Sequence, residues 1–401
     1  MESKRYYSER YSLLTRHFLK GCLSEGGNVF ISPLSIFLLL SIAADSTTET
    51  TRKEILKVLG DSSGRNEAGL MLSRFRKELA SRDHAFSSAD AVCVKQDFAD
   101  RINPGYREMI TAVYGGRVFS FSRMHEAVNA WVEKKTNGMI REAVSENMNS
   151  MLLCLMNATA FEEAWGVPYE DEDIKEDCFY NEDGTASRVK MMYGCEDEYL
   201  ENKDFIGFVK EYSYGSEFAF AALLPKQEGS ETLLHAVDRI DFSDLLKSGK
   251  WADVHTVMPE FSFEYAKELK PLCRMLGMKE VFTEDADFFP LSPDPLMLES
   301  LQHRAFIEVN RNGTRAGAVS IAAVAAGCLP PEDTKEVILN RPFVFAIVHA
   351  ESGLPVFAGV VNHLENGKAD SEKRGNLLQN REGNTEQTGG YETRISTCCG
   401  F

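Results

Sequence analysis

Residues Arg311–Pro331 read RNGTRAGAVSIAAVAAGCLPP, and no other stretch so restricts what the chain can fold into. Asn312 and Gly313 open it as turn residues, and Pro330 and Pro331 close it. Between them, the 14 residues Ala316–Leu329 are all small or apolar. That run is too short for a bilayer span. Its alanines favour a buried helix by propensity. The flanks argue for something else. Ala305–Asn310 (AFIEVN) alternates like a strand, and Arg341–Ala350 (RPFVFAIVHA) is a strand-rich apolar run. The segment then becomes a long connection between two strands. Connections beyond ~15 residues are uncommon in compact domains and usually functional.

Side-chain parity adds a second constraint. One alternate set, Thr314, Ala316, Ala318, Ser320, Ala322, Val324 and Ala326, is uniformly small and uncharged. The other holds the only charge, Arg315, with the larger Val319 and Ile321. Alternate residues of a strand face opposite sides. The segment therefore suits a sheet with its small face turned to a packed interior. No proline lies between Gly313 and Leu329, so no donor would be missing from a ladder. A segment that is a loop in one state and a strand in another is a candidate switch.

HRAFIEVNRNGTRAGAVS (303–320) resembles the hinge of a serpin, whose usual form is close to HKAFIEVNEEGTEAAAAT. Further motifs follow the same family in the same order: NVFISPLS from Asn28, VNAWVEKKTNGMI from Val128, NATAFEEAWGVPY from Asn157, VKMM from Val189, EFAFAALLP from Glu217, the long signature Val254–Phe282, and the final strands Arg341–Leu364. The resemblance covers residues 8–364. It implies an α+β serpin fold with about nine helices, three β-sheets and an exposed reactive-centre loop at about 311–331. Residues 1–365 are expected to form one domain. Residues 366–401 are polar, Gly-rich and aperiodic, and are expected to be a disordered extension.

Bulk properties exclude several function classes. A net charge of −17 disfavours nucleic acid, which needs clustered Lys and Arg. Ile36–Ala44 is too short to cross a membrane. The nine cysteines are odd in number and scattered, with no CxxC pair. Neither a disulfide framework nor a zinc motif emerges, no metal or cofactor is expected, and most cysteines should be small buried hydrophobes. Arg74, Arg76, Lys77 and Arg82 are diluted by Glu67, Glu78 and Asp83, so glycosaminoglycan binding is not expected. The acidic run Glu170–Asp177 reads as exposed loop. The family implies an extracellular location. The absence of a visible signal peptide and of paired cysteines points instead to a cytoplasmic one, as in intracellular or bacterial-like members.

Catalysis is not expected: GxSxG, HExxH and phosphate-loop motifs are absent, and His303 with Cys328 has no orienting third group. What the resemblance implies is a monomeric suicide inhibitor that forms a covalent complex with a serine protease. The protease cleaves the loop, and the freed loop enters the main sheet before the acyl-enzyme is hydrolysed. Loop insertion of this kind is a standard instance of strand addition. The family's spacing from Gly313 puts the cleaved bond at Gly327-Cys328, with Ala326-Gly327 as the alternative. The small residues Val324–Gly327 suit an elastase-like or subtilisin-like pocket. Gly313, Thr314, Arg315, Ala316, Gly317 and Ala318 correspond to the hinge. Ser32, Ser35, Asn157 and His303 correspond to the shutter beneath the opening point, and Trp165 to the breach above it. Ordinary buried hydrogen bonding would explain the shutter residues equally well. Two departures are Arg311 and Arg315, where the family usually carries acids. The alternatives are a non-inhibitory carrier or chaperone-like serpin, and a cross-class inhibitor of a cysteine protease.

Overall fold

The hydrophobic pattern resolves into two sheets wrapped around one buried helix. The computed structural model describes residues 2–61, 63–82, 85–120, 122–315 and 334–366. The chain begins with α1 (Glu2–Leu23), β1 (Val29–Ile31) and α2 (Pro33–Asp45). It continues through α3 (Glu49–Leu59), α4 (Glu67–Arg82), β2 (Phe86–Val94), α5 (Pro104–Tyr114), β3 (Arg117–Phe119) and α6 (Met124–Lys135). Then come β4 (Leu153–Phe161), β5 (Glu163–Ala164), β6 (Ile174–Tyr180), β7 (Ala186–Glu201), β8 (Phe205–Glu211) and β9 (Phe218–Pro225). After α7 (Ser230–Val237) and α8 (Phe242–Lys247) lie β10 (Lys250–Pro259), β11 (Phe261–Glu268) and α9 (Lys270–Met275). The chain ends in β12 (Ser300–Asn310), β13 (Gly313–Thr314), β14 (Thr334–Ile338), β15 (Phe343–His349) and β16 (Pro355–Val361).

The α+β class matches the sequence expectation, as do the nine α-helices among the described residues, but the described strands form two sheets rather than three. One runs β1-β16-β15-β9-β8-β7-β10-β14, with β6 also on β7. The cause is the 16-residue strand β7. Its first half pairs β6, its last four residues pair β8, and β10 runs along most of it. It thereby welds two expected sheets into one. The second sheet runs β3-β2-β4-β12-β13-β5, with β11 on β12. The acidic run is also partly strand: Asp171–Asp173 forms a 3-10 turn and β6 starts at Ile174.

Helix α2 is apolar on every side because it is buried on every side. Pro33 occupies its first turn, and the Ser32 side chain caps it by accepting the Ser35 N–H. β4 is buried along all nine residues, as a central strand apolar on both faces requires, with Asn157 and Thr159 its two buried polar members. Leu153, Leu155 and Phe161 face the main core, whereas Cys154, Met156, Ala158 and Ala160 pack with Val128 and Val132 of α6. The seven-stranded sheet therefore has a layer on each face, the nine-stranded sheet with α2 on one side and α6 on the other. Cys22, Cys93, Cys154 and Cys273 are buried; Cys178 is half-buried and Cys195 exposed. Among the described residues no helix is long and apolar enough to cross a membrane.

Candidate functional site: the hinge and the closed sheet beneath it

The site is built where β4 and β12 stop touching. These two strands run parallel and pair from Ser300–Cys154 to Phe306–Ala160. Beyond that zipper the two-residue strand β13 fills the gap. Gly313 and Thr314 pair with Asn310 and Val309 of β12 on one side, and with Ala164 and Glu163 of β5 on the other. The hinge expected from sequence thus already occupies the first two positions of a new strand. Ala316, Gly317, Ala318, Ser320, Ala326, Gly327 and Cys328 lie outside the described residues, as does the extension beyond Asn366.

Thr314 fixes which way the segment faces. Its side chain is fully buried, and its hydroxyl lies 2.7 Å from the Tyr212 hydroxyl. Arg315, next along, points to the opposite face, with its guanidinium 5.3 Å from the Phe306 ring centroid. Phe306 belongs to the cluster under α6. Arg315 also holds φ at 45°, a left-handed value that costs a non-glycine residue about 1–2 kcal/mol. The backbone thus leaves the extended conformation at Arg315, whose N–H still donates to the Glu308 carbonyl of β12 at 2.6 Å.

Trp165 anchors the upper end. It is fully buried and stacks on Tyr212 with centroids 4.8 Å apart. Its Nε1–H donates to the Asn310 carbonyl at 2.9 Å, and its backbone N–H to the Asn312 carbonyl, also at 2.9 Å. Both bonds hold the β12–β13 turn. Beside it, Lys210 is 4 % exposed and pairs with Glu196 at 2.7 Å, its Nζ 4.4 Å from the Tyr169 centroid. Burial raises the Glu196 carboxyl against the opposing pull of Lys210. The sign reversal at Arg311 has a local answer: its guanidinium pairs with Asp171, in the acidic run. Glu163 of β5 accepts from the Ser213 hydroxyl.

Of the residues that correspond to the shutter, Asn157 and His303 form one pair of the zipper and Ser32 and Ser35 lie against them; all four are fully buried. Ser32 N–H donates to His303 Nε2 at 3.1 Å, and the Ser32 hydroxyl donates to the Val356 carbonyl at 2.8 Å. Ser35 Oγ lies 3.1 Å from Ser32 Oγ. Burial, with Arg304 adding to it, lowers the His303 imidazole to about 3, so it is neutral and carries its proton on Nδ1. Its Nδ1 has no hydrogen-bond partner. Asn157 sits directly across the ladder from His303, yet its amide turns the other way and donates to Asp90 at 2.6 Å. The Asn157 Oδ1 is likewise without a partner.

Two residues here carry no motif signal. Asp90 is 2 % exposed and forms an ion pair with Arg76, which is 7 % exposed and also donates to the Tyr114 carbonyl. A lone acid inside the small and apolar strand SSADAVCV was the available clue, because a buried carboxylate requires a partner. Arg76 is withdrawn from the solvent face of α4 by this pair. The pair His303–Cys328 gains no support as a catalytic dyad, since His303 Nε2 is occupied by a backbone donor.

Comparison with known proteins agrees with this geometry. A family profile described as Serpin (serine protease inhibitor) matches residues 13–364. Serpin-Z2A of Triticum aestivum is 30% identical, over 85% of this chain and 91% of its own. An uncharacterized serpin-like protein of Methanosarcina acetivorans is 26% identical, over 84% and 82%. The native-state crystal structure of the thermophilic serpin tengpin superimposes with a TM-score of 0.80 at 29% identity, covering 91% of this chain and 95% of that one. Human thyroxine-binding globulin, at 18% identity and a TM-score of 0.78, shares the fold. A two-residue strand seated at the mouth of a closed parallel zipper, in a chain matched from residue 13 to residue 364, leaves one assignment: this protein belongs to the serpin family of protease inhibitors, which are not enzymes.

Proposed function

We propose that this serpin inhibits a serine endopeptidase by suicide cleavage at Gly327-Cys328, acyl-enzyme trapping and insertion of the freed loop between β4 and β12. The target has a small apolar primary pocket of the elastase or subtilisin kind, because Val324–Gly327 are small and Arg or Lys is absent from Ala316 to Pro331. The observation that carries the reading is the register of β13.

That register can be continued downward. Thr314 opposite Val309 brings Ser320 opposite His303 of β12. Gly313 opposite Ala164 brings the same Ser320 opposite Asn157 of β4. The two residues already face each other across the zipper. Ser320 shares the parity of buried Thr314, so its hydroxyl enters on the core face. There it meets the two buried atoms that lack partners, His303 Nδ1–H and Asn157 Oδ1. A serine hydroxyl accepts from one and donates to the other. The intact protein is thus missing a polar group that the inserted strand delivers.

The energy balance has the right sign. Seven residue pairs of the β4–β12 ladder separate, and the incoming strand forms a ladder on each flank. The net gain is about a dozen backbone bonds at ~0.5–1.5 kcal/mol each, on the order of 10 kcal/mol. Arg315 leaves its left-handed conformation in the same step. The intact fold is then held by the barrier to separating β4 from β12.

The test is incubation with pancreatic or neutrophil-type elastase. A covalent complex that survives SDS is expected, with mass spectrometry placing the acyl bond at Gly327. Clean turnover of the loop without complex would refute inhibition. Loop cleavage should also raise the melting temperature sharply. Ser320→Ala should lower that of the cleaved protein and leave the intact protein unchanged. An equal effect on both forms would remove Ser320 from the shutter.

A further inference from the structure

Away from the hinge, the exposed face of the nine-stranded sheet brings together three side chains that the sequence keeps far apart. Asp253 and His255 lie two residues apart on β10 and so share a face. Cys195 of β7 is the direct cross-strand partner of His255. One donor atom from each of the three lies within 4.8 Å of the others. Cys195 Sγ and His255 Nδ1 are 3.5 Å apart. Zn–S and Zn–N bonds of about 2.3 and 2.0–2.1 Å, at a tetrahedral angle, span an edge of roughly 3.5 Å.

We propose that Cys195, His255 and Asp253 form a binding site for a borderline-soft divalent cation, zinc or its close analogues, with the fourth position open to solvent. The donor set decides the class. A thiolate and an imidazole nitrogen select zinc-like ions over calcium and magnesium, which take oxygen ligands. Charge also matches, since a thiolate and a carboxylate together neutralise a divalent ion. Two of the three, Cys195 and His255, border a groove of about 540 Å³. Asp173 and Asp177 line its rim, and Glu336, the register partner of His255 on β14, closes the other side. The surrounding field is therefore negative, favouring a cation in the groove. In the metal-free protein Cys195 is a thiol, raised by burial and by Asp253, Glu196 and Asp173. Binding displaces its proton to solvent and forms the metal–sulfur bond.

The ion would clip β7 to β10. The other edge of β10 carries β14, the strand that follows the loop. The site therefore braces the strand to which the distal end of the loop is fastened, whether or not the loop inserts.

Cobalt(II) titration of the reduced full-length protein tests the site. One equivalent should produce the intense visible bands of tetrahedral cobalt and a near-ultraviolet sulfur-to-metal band, both erased by zinc. Cys195→Ser should abolish the sulfur band, and His255→Ala or Asp253→Asn should weaken affinity at least tenfold. Zinc should raise the melting temperature of the wild type but not of Cys195→Ser. A sulfur band that persists in Cys195→Ser would place the metal on other cysteines and overturn the proposal. So would a spectrum of octahedral cobalt without any sulfur band. All three positions are at least partly exposed, so the variants should fold, and circular dichroism checks this.

Discussion

Acidification should weaken this protein through one residue, His303. Its imidazole is completely buried and its Nε2 accepts a backbone N–H, so a second proton has no room and no counter-charge. The unfolded side chain titrates near 6.5, whereas the folded one is lowered to about 3. Between those two values the unfolded chain holds a proton that the folded chain refuses. The stabilisation is complete above about pH 6.5 and is lost as pH falls through that window. From pH 7 to pH 5 the loss is about 2 kcal/mol, from ~1.5 units at ~1.4 kcal/mol each. The assay is urea unfolding of the intact wild type and of His303→Gln at both pH values. Glutamine keeps an acceptor for Ser32 but does not titrate. Other groups, including His17, whose burial also lowers its imidazole, cancel in the difference. The wild type should lose about 2 kcal/mol more than the variant. Equal losses in the two proteins would refute the argument, because burial would then not be keeping His303 neutral.

Two more expectations concern the same region. Thr314→Arg places an unpaired guanidinium where the first inserted side chain is fully buried, at a cost of several kcal/mol; the loop should still be cleaved, with SDS-stable complex falling at least tenfold relative to cleaved product on gels. Arg76→Met strands the buried Asp90 carboxylate and should cost about 3–5 kcal/mol in denaturant unfolding, while adding Asp90→Asn should recover most of that loss.

Much of the hinge was legible before any coordinates. A strand period of two and a uniformly small alternate set indicate which residues can enter a packed interior, and Thr314 is indeed the buried member of the described pair. Helix α2 was equally readable, since a helix apolar all round has only one place to go. That Ser32, Ser35, Asn157 and His303 belong together was suggested by the family pattern, but their hydrogen-bond network was not. Asn157 and His303 are neighbours across the ladder, yet the Asn157 amide turns to Asp90, because a buried carboxylate is a strong acceptor and His303 Nε2 is already taken by the Ser32 N–H. The family pattern marked Arg311 only as a departure from the usual acid. Asp171 supplies the opposite charge, from a run that by sequence was only an acidic loop. The number of sheets was also beyond reach, since strand periodicity marks β7 as a strand but does not state how far its neighbours extend.

The sequence by itself determined the alternation, the caps, the buried helix and the family, because each depends on residues adjacent along the chain. Tertiary structure alone decided that β13 lies in the gap above the β4–β12 zipper, that two buried polar atoms there wait without partners, and that Cys195 meets His255 on an exposed face. Those facts depend on the register between strands far apart in the chain, such as β5 with β13 and β7 with β10. That register is set by the packing of whole sheets, which local periodicity does not encode.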